Sequence, residues 1–78
     1  MDARFVMKTP RWLITGANGF LGYRVAEQAA GRGEAFGLVR SVDRRVAEGV
    51  TPVLGDLDDV ASLGRLVLMV RPQCVIHL

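Results

Sequence analysis

The stretch Leu13-Ile14-Thr15-Gly16-Ala17-Asn18-Gly19-Phe20-Leu21-Gly22 constrains this fold more than any other: an apolar run enters a turn with glycines three residues apart, and a helical pattern leaves it. A strand that hands over directly to a helix needs a residue without a β-carbon at the turn. A second is needed where another group must approach the main chain closely, and Gly16 and Gly19 fit those two places. Gly22, one helical turn later, would let the helix lie close against a sheet. The unpaired N–H groups of the first helical turn would then face outward at the end of the helix dipole that favours an anion. The segment therefore reads as a nucleotide-binding turn.

The rest of the chain alternates between two periods. Trp12 to Thr15 suits a short buried central strand. Leu21, Val25 and Ala29 recur at four-residue intervals, which predicts a helix over Phe20 to Ala30 with that face on a sheet. Gly31 and Gly33 end it, and Ala35 to Val39 supplies a second strand. Between Arg40 and Gly49 the pattern is polar and helix-like but brief. Val50 to Leu54 reads as a third strand, with Pro52 pointing to an edge or a strand start. Asp58 or Asp59 caps a second helix whose body runs from Ala61 to Val70, although Gly64 weakens it. Arg71-Pro72 ends that helix, and Cys74 to Leu78 forms a fourth strand.

Strands and helices joined by short links imply parallel pairing with right-handed crossovers. The economical solution is an α/β, Rossmann-like three-layer arrangement with a partial parallel sheet of order 3-2-1-4. The outer edge of the fourth strand would be open and apolar, a surface for self-association.

The chain has 78 residues, half of them hydrophobic, and no low-complexity tract, so it is expected to fold. A net charge of +2 with acidic and basic residues interspersed gives no basic stripe, which speaks against a nucleic-acid partner. Cys74 is the single cysteine, so an internal disulfide and a CxxC motif are excluded and a reducing compartment is expected. No apolar run before Gly16 is long enough for a signal core or a membrane span. The expectation is a cytoplasmic protein without a membrane partner.

The spacing GxxGxxG, with Thr15 before it and Asn18-Gly19-Phe20-Leu21-Gly22 after it, resembles the extended branch of the short-chain dehydrogenase/reductase superfamily, the NAD-dependent epimerases and dehydratases. Gly55-Asp56-Leu57 after the third strand and Cys74-Val75-Ile76-His77-Leu78 fall where that family contacts its cofactor. The resemblance implies a dinucleotide partner, with Gly16, Gly19 and Gly22 around the pyrophosphate. Asn18, Phe20 and Leu21 would add backbone contacts to it and packing beneath it. Asp56 would hydrogen-bond the adenine amino group, Leu57 would pack on the ring, and Leu78 would approach the nicotinamide side.

Arg40 departs from the family pattern. NAD-binding relatives carry an acidic residue at the end of the second strand, where it accepts hydrogen bonds from both adenosine ribose hydroxyls. A guanidinium accepts nothing but pairs with a 2′-phosphate through two parallel charge-assisted bonds, so NADP is expected in preference to NAD. Ser41, Arg44 or Arg45 would help bind that phosphate, whereas a shift of the loop would bring Asp43 to the ribose instead.

The family's chemistry rests on a Tyr-x-x-x-Lys pair with an upstream Ser or Thr, in which tyrosine exchanges a proton with the substrate oxygen and lysine lowers its pKa. Tyr23 is the single tyrosine, and Glu27 stands four positions on, so Tyr23 reads as a helix-surface or packing residue and no catalytic residue is assigned. His77, the single histidine, has no Cys, His or carboxylate at ligand spacing and reads as a core or strand-end residue, so no metal site is expected. Residues 1–78 are accordingly expected to be the N-terminal part of an NAD(P)-binding Rossmann domain, with the catalytic and substrate-binding region absent. Arg71-Pro72-Gln73-Cys74-Val75-Ile76-His77-Leu78 resembles nucleotide-sugar epimerases, dehydratases and dehydrorhamnose reductases, which implies a nucleotide-sugar substrate for the parent enzyme. Two other readings are a non-catalytic dinucleotide-binding sensor or interaction protein that kept the fold, and a truncated gene product without function.

Overall fold

The computed structural model describes residues 10–41 and 45–78. In chain order the elements are β1 (Arg11–Ile14), α1 (Phe20–Ala30), β2 (Glu34–Val39), β3 (Val50–Leu54), α2 (Val60–Val70) and β4 (Cys74–Ile76). The strands form one parallel sheet in the order β3-β2-β1-β4. Its register sets Leu13 between Phe36 on β2 and Val75 on β4.

Successive side chains on a strand point to opposite faces, so adjacent residues of β1 serve two cores. Ile14 is fully buried among Ala17, Ala26, Ala29 and Ala35, on the face covered by α1. Leu13 packs with Leu38, Val53, Leu66 and Val70, on the face covered by α2. One helix on each side of the sheet gives the three expected layers.

The burial of α1 differs from the apolar periodicity. Its buried residues are Gly22, Ala26 and Ala29, whereas Leu21 is 61% exposed and Val25 only half-buried. The cause is the closeness of the helix to the turn before it. A β-carbon on Gly22 would stand 1.7 Å from the Gly16 carbonyl oxygen, so the helix is seated on the turn as well as on the sheet. Only small side chains fit beneath a helix held that close.

Residues 40–49 also differ from expectation, because no helix forms among the described residues of this segment. Val42, Asp43 and Arg44 lie outside the described residues. Ala47, 1% exposed, and Val46 instead fill the α1-side core beside β3. The Val50 N–H donates to the Ala47 carbonyl at 3.1 Å and Gly49 turns the chain at φ +87°, so residues 45–49 lead into β3 without helical structure. A polar pattern this short has too few turns to offset the cost of starting a helix.

At α2 the cap is Asp59, whose carboxylate accepts the Ser62 N–H at 3.2 Å. Arg71 ends the helix in the left-handed region at φ 52°, with its N–H donating to the Val67 carbonyl at 2.8 Å. The link onward to β4 is tied to β1: Arg11 Nε donates to the Arg71 carbonyl at 2.9 Å, and the Arg11 N–H donates to Gln73 Oε1 at 3.1 Å. Pro52 sits on the edge strand β3, where its missing N–H breaks no ladder. At the opposite edge is β4, with Val75 54% exposed. Among the described residues no helix is long and apolar enough to cross a membrane.

Candidate functional site

The chain leaves β1 to one face of the sheet through α1 and enters β4 from the other face through α2, so a crevice opens at the carboxyl ends of the strands where these connections diverge. A cleft of about 300 Å³ lies there. Gly16 and Asn18 form its floor, Leu38, Val39 and Arg40 the side belonging to β2, Gly55 and Leu57 the end beyond β3, and Leu78 the side belonging to β4.

Local chemistry explains the floor. Gly16 adopts φ +67°, a left-handed conformation that a β-carbon would strain, and its carbonyl accepts the Gly19 N–H at 2.9 Å. That tight turn aims α1 at the cleft. Gly19 is the N-cap of α1, provides no side-chain cap, and no acidic residue stands in the first turn. The leading N–H groups are thus left to an external acceptor, in contrast to α2, where Asp59 supplies one. The floor is also narrow: a β-carbon on Gly16 would lie 3.4 Å from the Leu78 carbonyl oxygen. A turn with glycine at both ends, leading into helix N–H groups that no side chain caps, is the kind of cradle a pyrophosphate requires, so the residues present fit a dinucleotide.

Of the residues singled out from sequence, Gly16, Asn18, Arg40, Leu57 and Leu78 come together around the cleft. Gly19 and Gly22 act behind the floor by shaping the turn and seating the helix. Phe20 is 94% exposed and Leu21 61% exposed, and neither lines the cleft. Both side chains project from the first turn of α1, whose inner face is already filled by Gly22 and Ala26. Ser41 lies next to Arg40, partly buried and outside the lining. Asp43 and Arg44, both weighed for the ribose end, lie outside the described residues.

Asp56 takes up the role of a turn former. Its Oδ1 accepts the Asp58 N–H at 2.9 Å and its carbonyl accepts the Asp59 N–H at 3.0 Å, which delivers the chain to the α2 cap. Its side chain is exposed beside Gly55 and Leu57 without lining the cleft. Sequence reasoning missed Leu38 and Val39 as site residues, because they enter as the end of a strand and not as a motif. It also used Gly55 only as a marker. The Gly55 N–H donates to the Val39 carbonyl at 3.0 Å, and a β-carbon on Gly55 would meet Leu38 Cδ1 at 2.6 Å, so this glycine lets the chain beyond β3 close over the end of β2.

Thr15 is the one buried polar side chain among the described residues, at 4% exposure. Its hydroxyl lies 2.7 Å from His77 Nδ1 and accepts the Leu78 N–H at 3.0 Å, while the Thr15 N–H donates to the Ile76 carbonyl at 2.9 Å. His77 is therefore a strand-end residue, as its context suggested, with a defined partner. Among the described residues no group of three or more His, Cys, Asp or Glu side chains is placed to hold a metal ion.

No curated protein matches the chain. Among solved structures, L-threonine dehydrogenase from Clostridium difficile superposes with a TM-score of 0.71 at 20% identity, over 92% of this chain and 24% of that one. The likeness shows the same Rossmann-like fold, and this chain spans about a quarter of that protein's length. The family model of the NAD dependent epimerase/dehydratase family matches residues 12–78, from β1 through the glycine turn to the end of the chain. With nearly the whole chain inside that match and its glycines built into a cleft at the strand ends, the chain belongs to the NAD dependent epimerase/dehydratase family.

Proposed function

We propose that residues 1–78 form the first part of an NAD(P)-binding Rossmann domain whose parent is an oxidoreductase, epimerase or dehydratase acting on a nucleotide sugar, with NADP(H) preferred over NAD(H). One observation carries the reading: the turn residues Gly16 and Asn18 and the exposed cation Arg40 line a single cleft, and that turn leads into the uncapped start of α1. Pyrophosphate charge would be met by the α1 N–H groups. Arg40, at the end of β2, would pair with a 2′-phosphate, helped by Ser41, Arg44 or Arg45. Leu57 would cover the adenine and Leu78 would border the nicotinamide side. The carboxylate oxygen of Asp56 not engaged by the Asp58 N–H would remain for the adenine amino group.

When bound, the nicotinamide supplies reversible hydride transfer. The residues of this chain bind and orient it. Tyr23 lies on α1 with Glu27 four positions on, away from the cleft lining, so residues 1–78 supply no Tyr-x-x-x-Lys pair, and in the proposed parent enzyme that pair would have to come from other sequence. The same observation favours a second reading, a dinucleotide-binding sensor that retains the fold without the chemistry. Cys74 is an exposed free thiol, in keeping with a reducing cytoplasmic setting, and the edge of β4 beside it is the surface through which copies would associate.

Calorimetric titration with NADPH and then NADH, with circular dichroism to establish folding, tests the proposal. Binding of both with NADPH tighter is the expected result. A folded chain that takes up neither dinucleotide overturns it.

A further inference from the structure

We infer that His77 is a positioning residue for the cleft: by taking the Thr15 hydroxyl proton at Nδ1, it aims the Thr15 oxygen at the Leu78 amide and fixes the wall that Leu78 presents to Gly16. The inference rests on the reading of this cleft as a dinucleotide site. It begins with donor and acceptor counting. The Leu78 N–H can only donate, so Thr15 Oγ1 is its acceptor at 3.0 Å. A threonine hydroxyl carries one proton, and among the described residues the partner shown for it is His77 Nδ1 at 2.7 Å. That assignment leaves Nδ1 bare and puts the ring proton on Nε2, the neutral tautomer.

The consequence is geometric. Thr15 is held rigidly, buried at the end of the central strand with its N–H bonded to the Ile76 carbonyl. A hydroxyl rotor in such a place has its direction set by whichever acceptor takes its proton. With Nδ1 as that acceptor, a lone pair of Oγ1 points at the Leu78 N–H and the chain beyond β4 is drawn back over β1. Leu78 then stands so near the turn that a β-carbon on Gly16 would lie 3.4 Å from its carbonyl oxygen and 3.6 Å from its own β-carbon. Gly16 and Leu78 are two of the surfaces that line the cleft, so its width on the β4 side depends on this pair of hydrogen bonds. His77 lies outside that lining and acts through Thr15.

Two variants separate the hydrogen bond from the ring. His77→Phe keeps an aromatic ring and loses the acceptor, whereas His77→Asn places an amide oxygen near the position of Nδ1. Three quantities are read on the 78-residue chain: the ¹⁵N shifts of the His77 ring, the exchange rate of the Leu78 amide, and the NADPH affinity. The wild-type ring should show an unprotonated Nδ1. His77→Phe should speed Leu78 exchange and weaken NADPH binding roughly five- to thirtyfold, the effect of losing one part-buried hydrogen bond. His77→Asn should restore both to within about threefold of wild type.

A protonated Nδ1 in the neutral wild-type ring overturns the inference, as does His77→Phe with unaltered Leu78 exchange or unaltered NADPH affinity. If the wild type binds no dinucleotide, the reading of the cleft falls, and the ring shifts and Leu78 exchange decide the positioning of the wall on their own. If His77→Phe does not fold, His77→Asn and the ring shifts decide it in the same way.

Discussion

Gly22 lies against the carbonyl of Gly16: a β-carbon at position 22 would stand 1.7 Å from that oxygen and 2.5 Å from its carbon. Both neighbours are main-chain atoms of the turn that opens the cleft, so no side chain can swing away to make room. Gly22→Ala must therefore push α1 off the turn or distort Gly16 from φ +67°. A loss of about 3 kcal/mol in unfolding free energy is expected, at the severe end of overpacking effects. Urea denaturation followed by circular dichroism checks it, and a variant as stable as wild type would mean that the helix is not seated on the turn.

Gly64 is the opposite case. It lies within α2, and a β-carbon there would have no atom within 4 Å. Nothing in the described packing needs glycine at this position, while glycine in a helix interior costs backbone entropy. Gly64→Ala should raise stability by about 1 kcal/mol. The same denaturation experiment reads it, and a destabilised variant would reveal a close neighbour at that face.

These two glycines show why some of the fold is legible in sequence and some is not. The boundaries of α1 and β3 follow from punctuation by Gly19, Gly31, Gly49 and Gly55, which acts locally. The buried face of α1 does not follow from periodicity, because hydropathy ranks Leu21 above Ala26 whereas the contact at Gly22 sets a helix-to-turn distance that admits only the smaller residues. Coverage of β3 by Val46 and Ala47 is a tertiary outcome that a polar ten-residue stretch does not announce. At the site, Arg40 and Asn18 carry recognisable chemistry, but Leu38 and Val39 line the cleft merely because β2 ends there. The meeting of Thr15 with His77, 62 residues apart, exists only in the register that sets Trp12 opposite Cys74 and Ile14 opposite Ile76.

Arg71 ends α2 at φ 52°, the one described non-glycine residue with positive φ. An L side chain in this region crowds the following carbonyl, a cost that glycine avoids. The favourable contacts of Arg71 run through its main chain, the N–H to Val67 and the carbonyl to Arg11 Nε, and glycine retains both. Arg71→Gly should thus stabilise the chain by about 0.5–1 kcal/mol, after the greater freedom of glycine in the unfolded state is set against the relief. Thermal unfolding would show the midpoint rising, and a fall would place the arginine side chain in a stabilising contact.

Arg40 is the residue on which the proposed preference for NADP(H) rests. It stands exposed at the end of β2, on the rim of the cleft whose floor is Gly16 and Asn18. A guanidinium there attracts a 2′-phosphate and offers no acceptor to a free 2′-hydroxyl, while a carboxylate does the reverse. Arg40→Asp should weaken NADPH binding roughly ten- to a hundredfold, the range for charge-assisted hydrogen bonds, and leave NADH binding equal or tighter. Because the site is exposed, raising the salt concentration should narrow the difference between the two dinucleotides in the wild type. Paired titrations of wild type and variant at two ionic strengths measure both effects. Selectivity that stays the same after the substitution would remove Arg40 from the site and leave the choice between NADP and NAD to the segment that follows it.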